Sequence, residues 1–153
     1  MIGSGRVDPE TDALAEEVGR RLATAGATVV CGGLGGVMEG VARGATGAGG
    51  EVLAIVPGTS PEQANPHCTH VVAAGVGEAR NLAVVASGAA VIAIGGEWGT
   101  LSEIGLARKL GRSVIALRSW SVSGAGAMAA GPGIEVAASA EDAVALALAA
   151  ALE

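Results

Sequence analysis

The chain reads as an α/β protein: a doubly wound, mainly parallel sheet of six or seven strands, Rossmann-like, with a truncated first strand. Three observations predict this. Short apolar runs alternate with longer stretches of helical period. Glycine clusters follow those runs, at the points where such a sheet turns from strand to helix. Half of the 153 residues are apolar, yet Phe and Tyr are absent and only Trp98 and Trp120 are aromatic. The core must therefore be built from Val, Ile, Leu and Ala, which suits a parallel sheet covered by Ala-rich helices. The length predicts one domain spanning residues 1–153.

Met1 and Ile2 are all that remains of a first strand before the turn Gly3-Ser4-Gly5. Asp8 then caps a helix, Pro9 fits its first position, and Leu14, Val18, Leu22 and Ala25 form its buried stripe. Thr28 to Cys31 is a second strand, followed by the loop Gly32-Gly33-Leu34-Gly35-Gly36. The next helix starts at Val37, with Met38, Val41 and Ala45 inward. Val52 to Val56 is a third strand, and the proline-rich stretch from Pro57 to His67 is a loop that suits a lid. A weaker strand covers Thr69 to Ala73, and Gly75-Val76-Gly77 turns into a helix over Ala79 to Ser87. Val91 to Ile94 is the most apolar strand. A helix begins at Thr100, with Leu101, Ile104, Ala107 and Leu110 on one face. Ser113 to Leu117 and Ile134 to Ala137 are the last strands, and Ser139 caps a final helix. Between them, Trp120 to Gly133 reads as a flexible or oligomer-contacting loop.

The stretch from Val91 to Ile104 organises the chain. The first N–H groups of a helix have no internal partner, and the helix dipole adds positive potential there. Strand, glycine loop and helix start together form an anion site, and small residues let a phosphate approach the backbone. Gly32, Gly33, Gly36, Gly95, Gly96, Gly99 and Thr100 are the candidate binding residues. Arg80 sits in the first turn of its helix, at the unfavourable end of the dipole, a conflict that an anion resolves. The bland alternative is a surface Arg paired with Glu78. Glu103 admits two readings. It is a general base or sugar-hydroxyl acceptor, or it closes a capping box with Thr100.

Composition narrows the partners. The formal net charge of −6, with no basic patch, argues against nucleic acid. No basic n-region precedes an apolar stretch, and the longest uncharged apolar run, Leu82 to Gly96, is too short to span a bilayer. A cytoplasmic protein without a resident cofactor is the expectation. Cys31 and Cys68 suggest no disulfide framework, and His67, Cys68 and His70 lack a nearby carboxylate, so no metal site is expected.

These stretches together resemble the Lonely Guy (LOG) family and its Rossmann-like relatives, many once labelled lysine decarboxylases. The family motif P-G-G-x-G-T-x-x-E is matched from Gly95 to Glu103, its G-L-M-G by Gly36-Val37-Met38-Glu39, and its helix Arg by Arg80. The resemblance implies that Gly96, Gly99 and Thr100 bind a 5′-phosphate. It also implies that Arg80 and Glu103 support hydrolysis of a nucleoside 5′-monophosphate to free base. Gly95 stands for the motif proline, Glu97 for its second glycine, and Ala79-Arg80-Asn81 for Glu-Arg-Lys; the first glycine loop is one residue shorter. These departures resemble the molybdenum cofactor carrier branch, where the same pocket holds a phosphorylated pterin without chemistry. The preferred expectation is binding of a phosphorylated small molecule, with phosphoribohydrolase as the alternative and a DNA-processing-protein-A-like DNA binder third. A homodimer or larger assembly is expected. Lys109 is the only lysine and lies late in a helix, which leaves the decarboxylase label unsupported.

Overall fold

The computed structural model describes residues 1–122 and 133–152. Seven strands lie among them: β1 (Ile2–Gly3), β2 (Val29–Cys31), β3 (Val52–Val56), β4 (His70–Ala73), β5 (Ala90–Ile94), β6 (Ser113–Leu117) and β7 (Ile134–Ala137). Every ladder is parallel, in the orders β4-β3-β2 and β1-β5-β6-β7. The two ladders meet where the Met1 ammonium donates to the Val30 carbonyl at 2.7 Å. Chain order therefore reverses at β1, with β2 on one side and β5 on the other. Residues Ile2 and Gly3 pair with Ala93 and Ile94 only. Beside the start of β5, which has no partner on its β1 side, an apolar cleft of about 370 Å³ is lined by Val29, Val30, Ala90 and Ile92.

Side chains alternate across the sheet, as the pleat requires. Ile92, Ile94, Ile115 and Leu117 pack on α1 (Pro9–Thr24), α2 (Val37–Gly47) and α5 (Ala140–Ala150). Val91, Ala93 and Val114 pack on α3 (Arg80–Ser87) and α4 (Trp98–Lys109) through Val84, Val85, Ile104 and Ala107. Helices on both faces make the sheet doubly wound. Helices α1 and α2 approach closely, because a Cβ on Gly19 would overlap the Val41 carbonyl and one on Gly44 the Glu16 carbonyl.

Side-chain caps set the starts of α1 and α5. The Asp8 carboxylate accepts from Thr11 N–H at 2.7 Å, and the Ser139 hydroxyl accepts from Asp142 N–H at 3.1 Å. Three expectations need correction. Ala25 is the exposed C-cap of α1 rather than part of its buried stripe. Helix α4 begins at Trp98 with Glu97 as N-cap, so Thr100 lies inside its first turn. Leu110 is the C-cap of α4 and is 45% exposed, outside the buried stripe. Most of the expected loop from Trp120 to Gly133 falls outside the described residues. No described helix is long and apolar enough to cross a membrane.

Candidate functional site

A cleft of about 280 Å³ opens at the carboxyl ends of β1, β2 and β5, at the reversal of strand order. Open α/β sheets form their binding crevices at such points. Backbone of the β1 turn (Gly3, Ser4, Gly5) forms one side and the start of α4 another. Gly32, Leu34 and Met38 close the third side, with Glu78, Arg80 and Asn81 entering below.

Arg80 opens α3 after a 3₁₀ turn at Gly77–Ala79. It is only 5% exposed, its Nε has no hydrogen-bond partner, and it forms no ion pair among the described residues. Arg80 is therefore not a surface partner of Glu78; Asn81 Nδ2 bonds Glu78 instead, at 3.3 Å. The guanidinium fits because residue 32 is glycine, whose Cβ would overlap Arg80 Nη1. A buried cation without a partner is costly, by several kcal/mol for a fully desolvated ion. The cleft thus contains a positive charge with no hydrogen-bonded or ion-paired counter-charge among the described residues.

A second donor set faces the same space. Glu97 has extended backbone and makes no side-chain cap bond, while its carbonyl accepts from Leu101 N–H at 3.1 Å. The N–H groups of Trp98, Gly99 and Thr100 precede the first helical bond and are left for an external acceptor. Gly99, Thr100 and Glu97 line the cleft, and Thr100 is buried.

Glu103 lines the cleft one turn further along α4 and is 8% exposed. With the helix capped at Glu97, the capping box between Thr100 and Glu103 does not exist. Burial pushes the Glu103 carboxyl up to about 7, against the opposing pull of Arg80. It is thus a carboxyl that changes protonation near neutrality.

Of the sequence candidates, Gly32, Arg80, Gly99, Thr100 and Glu103 meet at this cleft. Gly33, Gly36, Gly95 and Gly96 lie outside its lining. They serve the packing around it. Gly36 has φ 64° and lies against Ser4 and Gly5, and Val37 N–H donates to the Ser4 carbonyl at 3.0 Å. A Cβ on Gly33 would meet Ala54 at 2.6 Å, one on Gly95 the Ser4 hydroxyl at 3.1 Å, and one on Gly96 the Trp120 ring at 2.9 Å.

Sequence reasoning missed Ser4 and Asn81, both buried in the cleft wall; Asn81 Oδ1 has no partner among the described residues. Position 81 had signalled only as a departure from the family pattern. Among the described residues, no group of three or more His, Cys, Asp or Glu is arranged to hold a metal ion. Cys68 instead packs against the apolar cluster that contains Cys31.

Fold and site together define a Rossmann-like protein whose switch-point cleft holds a buried, unpaired cation beside a helix start. The chain belongs to the SLOG cluster4 family, whose model matches residues 1–144. An uncharacterized protein of Archaeoglobus fulgidus is 42% identical over 118 residues, covering 77% of this chain and 78% of that protein. The molybdenum cofactor binding protein of the phototrophic bacterium Rippkaea orientalis superposes with a TM-score of 0.87 at 30% identity, over 97% of this chain and 93% of that one. The molybdenum cofactor carrier protein of Chlamydomonas reinhardtii gives 0.85 at 25% identity, over 99% and 96%.

Proposed function

We propose that the cleft binds a phosphorylated small molecule, a nucleotide or a molybdopterin-like cofactor held as cargo, with its phosphate between Arg80 and the first N–H groups of α4. The observation that carries this reading is the buried Arg80 guanidinium without a partner. A phosphate supplies the missing counter-charge, and charge-assisted bonds to it offset the desolvation of the guanidinium. The likeness to two proteins described as binding or carrying the molybdenum cofactor supports the same reading. Calorimetry with ribose 5-phosphate tests it. Arg80→Met should weaken binding by about 1.5–3 kcal/mol, the range for hydrogen bonds to charged groups. Equal affinity of the variant, or no binding by the parent protein, would overturn it. A single-stranded oligonucleotide belongs in the same series, and its binding in preference to ribose 5-phosphate would favour a DNA-binding role.

Glu103 favours a second reading. A cleft carboxyl near 7 is matched to general acid–base work at neutral pH, so phosphoribohydrolase activity on a nucleoside 5′-monophosphate is the alternative. In that reaction water adds across the base–ribose bond, giving ribose 5-phosphate and free base. Base release by the parent protein that falls at least about 10²-fold in Glu103→Gln would establish it. A phosphorylated metabolite as ligand fits a cytoplasmic location. The exposed Val72, Leu82 and Val136 fit a homodimer or larger assembly, which sedimentation at micromolar concentration would resolve.

A further inference from the structure

The only two aromatic residues of the chain lie side by side next to the cleft. The rings of Trp98 and Trp120 have centroids 5.2 Å apart and planes tilted by 38°. Trp120 is held from two sides. Its indole N–H donates to the Glu97 carbonyl at 3.2 Å, and its ring lies against Gly96, where a Cβ would come within 2.9 Å. It also packs on the apolar cluster beneath α4. Trp98, by contrast, is 76% exposed. It is the first residue of α4, and its two neighbours in sequence, Glu97 and Gly99, both line the cleft.

Two facts about the cleft bear on what covers that ring. Its volume, about 280 Å³, is below the roughly 300–1,000 Å³ of sites that enclose a drug-sized ligand. With a phosphate at Arg80 and its sugar or linker filling much of that volume, a fused heterocycle extends towards the rim, where Glu97 and Gly99 stand. The rim also carries an unexplained group. The Glu97 carboxylate does not cap its helix and forms no ion pair among the described residues, and Glu97 is a lining residue of the cleft beside Gly99 and Thr100. A carboxylate repels phosphate, but it accepts two parallel hydrogen bonds from adjacent N–H donors.

We propose that Trp98, braced by Trp120, is the stacking platform for the ligand's planar ring, and that Glu97 selects rings bearing two adjacent N–H donors. The class is a 2-amino-4-oxo fused pyrimidine, as in guanine and pterins, whose ring N–H and exocyclic amine present that pair. Adenine presents a ring acceptor beside its amine and pairs poorly with a carboxylate. The indole supplies the π-face, for which any flat ring qualifies, and the carboxylate supplies the discrimination.

The proposal rests on the phosphate reading above, and ribose 5-phosphate separates the two. The parent protein, Trp98→Ala and Glu97→Gln are titrated with 5′-GMP, 5′-AMP and ribose 5-phosphate. Indole fluorescence is recorded alongside, since tryptophan is the only aromatic type present. The parent should bind 5′-GMP at least about tenfold more tightly than ribose 5-phosphate, with quenching by the nucleotides alone. Trp98→Ala should abolish that advantage while ribose 5-phosphate affinity stays within about twofold. Glu97→Gln should remove the preference for 5′-GMP over 5′-AMP and leave stacking intact. An unchanged 5′-GMP to ribose 5-phosphate ratio in Trp98→Ala would overturn the platform. So would loss of assembly in that variant with the ratio unchanged, which would place Trp98 at a contact between copies. An unchanged preference in Glu97→Gln would overturn the selection. Failure of ribose 5-phosphate to bind the parent at all would instead strike the phosphate reading.

Discussion

The place where a side chain on Gly32 would begin is occupied by the guanidinium of Arg80. Residue 32 closes β2 and residue 80 opens α3, so the two are brought together only by the fold. Gly32→Ala forces the guanidinium aside, along with Met38 Sδ, which would lie 2.8 Å from the new Cβ. Both are ends of flexible side chains, so the fold should survive. Affinity for ribose 5-phosphate should fall about tenfold or more, the equivalent of one charge-assisted bond. Calorimetry on a variant with a parental circular dichroism spectrum checks this.

Arg80 should also cost the empty protein stability. Replacing an unpaired buried charge with an apolar chain of similar length is stabilising by about 1–4 kcal/mol in comparable cases. Arg80→Met should therefore melt higher than the parent without ligand and lose the stabilisation that ribose 5-phosphate confers. The comparison belongs at pH 6, where Glu103 is mostly protonated and compensates Arg80 least.

Glu103 makes stability depend on pH in a defined direction. Its carboxyl rises from an ordinary 4.5 to about 7 on folding, chiefly through burial. The folded state therefore binds the proton more tightly, and stability falls as pH rises from 4.5 through 7. A shift of that size corresponds to roughly 3 kcal/mol at pH 8. Glu103→Gln should raise the urea midpoint at pH 8 and change it little at pH 4.5. A gain of equal size at both pH values would contradict the assignment.

Two glycines in helices should respond oppositely to alanine. A Cβ on Gly44 would overlap the backbone of Glu16, which cannot yield without separating α1 from α2. Gly44→Ala should destabilise by about 1–3 kcal/mol or more, the usual cost of overpacking. Gly105, inside α4, has nothing within 4 Å of its missing Cβ. Gly105→Ala should stabilise by about 0.5–1 kcal/mol through helix propensity. Paired urea denaturation curves give both values.

The elements were legible because each carries its own local chemistry. Val91 to Ile94 is an apolar run, Asp8-Pro9 is a cap followed by a favoured first residue, and Ser139 precedes two acidic residues. The start of α4 was misread for a related reason. Thr is a preferred N-cap and Glu is not, whereas Glu97 takes the position through its backbone alone. That shift of three residues removed the capping-box reading of Glu103 and turned Thr100 inward. Glycine was the other ambiguous sign. A loop that admits a phosphate and a loop that admits a neighbouring backbone need the same residue. Gly33 and Gly36, for example, hold Ala54 and Ser4 at close range. Ser4 and Asn81 stayed hidden because their importance depends on β1 lying beside β5, which no local pattern encodes.

That pairing of residues 2 and 3 with residues 93 and 94 also sets a schedule for the nascent chain. The strand that occupies the middle of the sheet is made first and has to wait for its neighbour β5. At roughly 5–20 residues per second, β1 is out several seconds before that neighbour exists. In the interval the edge of β1 that pairs with β5 stands open, and neither Thr100 nor Glu103 has been added. The cleft is thus complete only once Glu103 has been added. The half-made polypeptide presents an unpaired parallel edge, the kind of surface for which a ribosome-associated chaperone has most use.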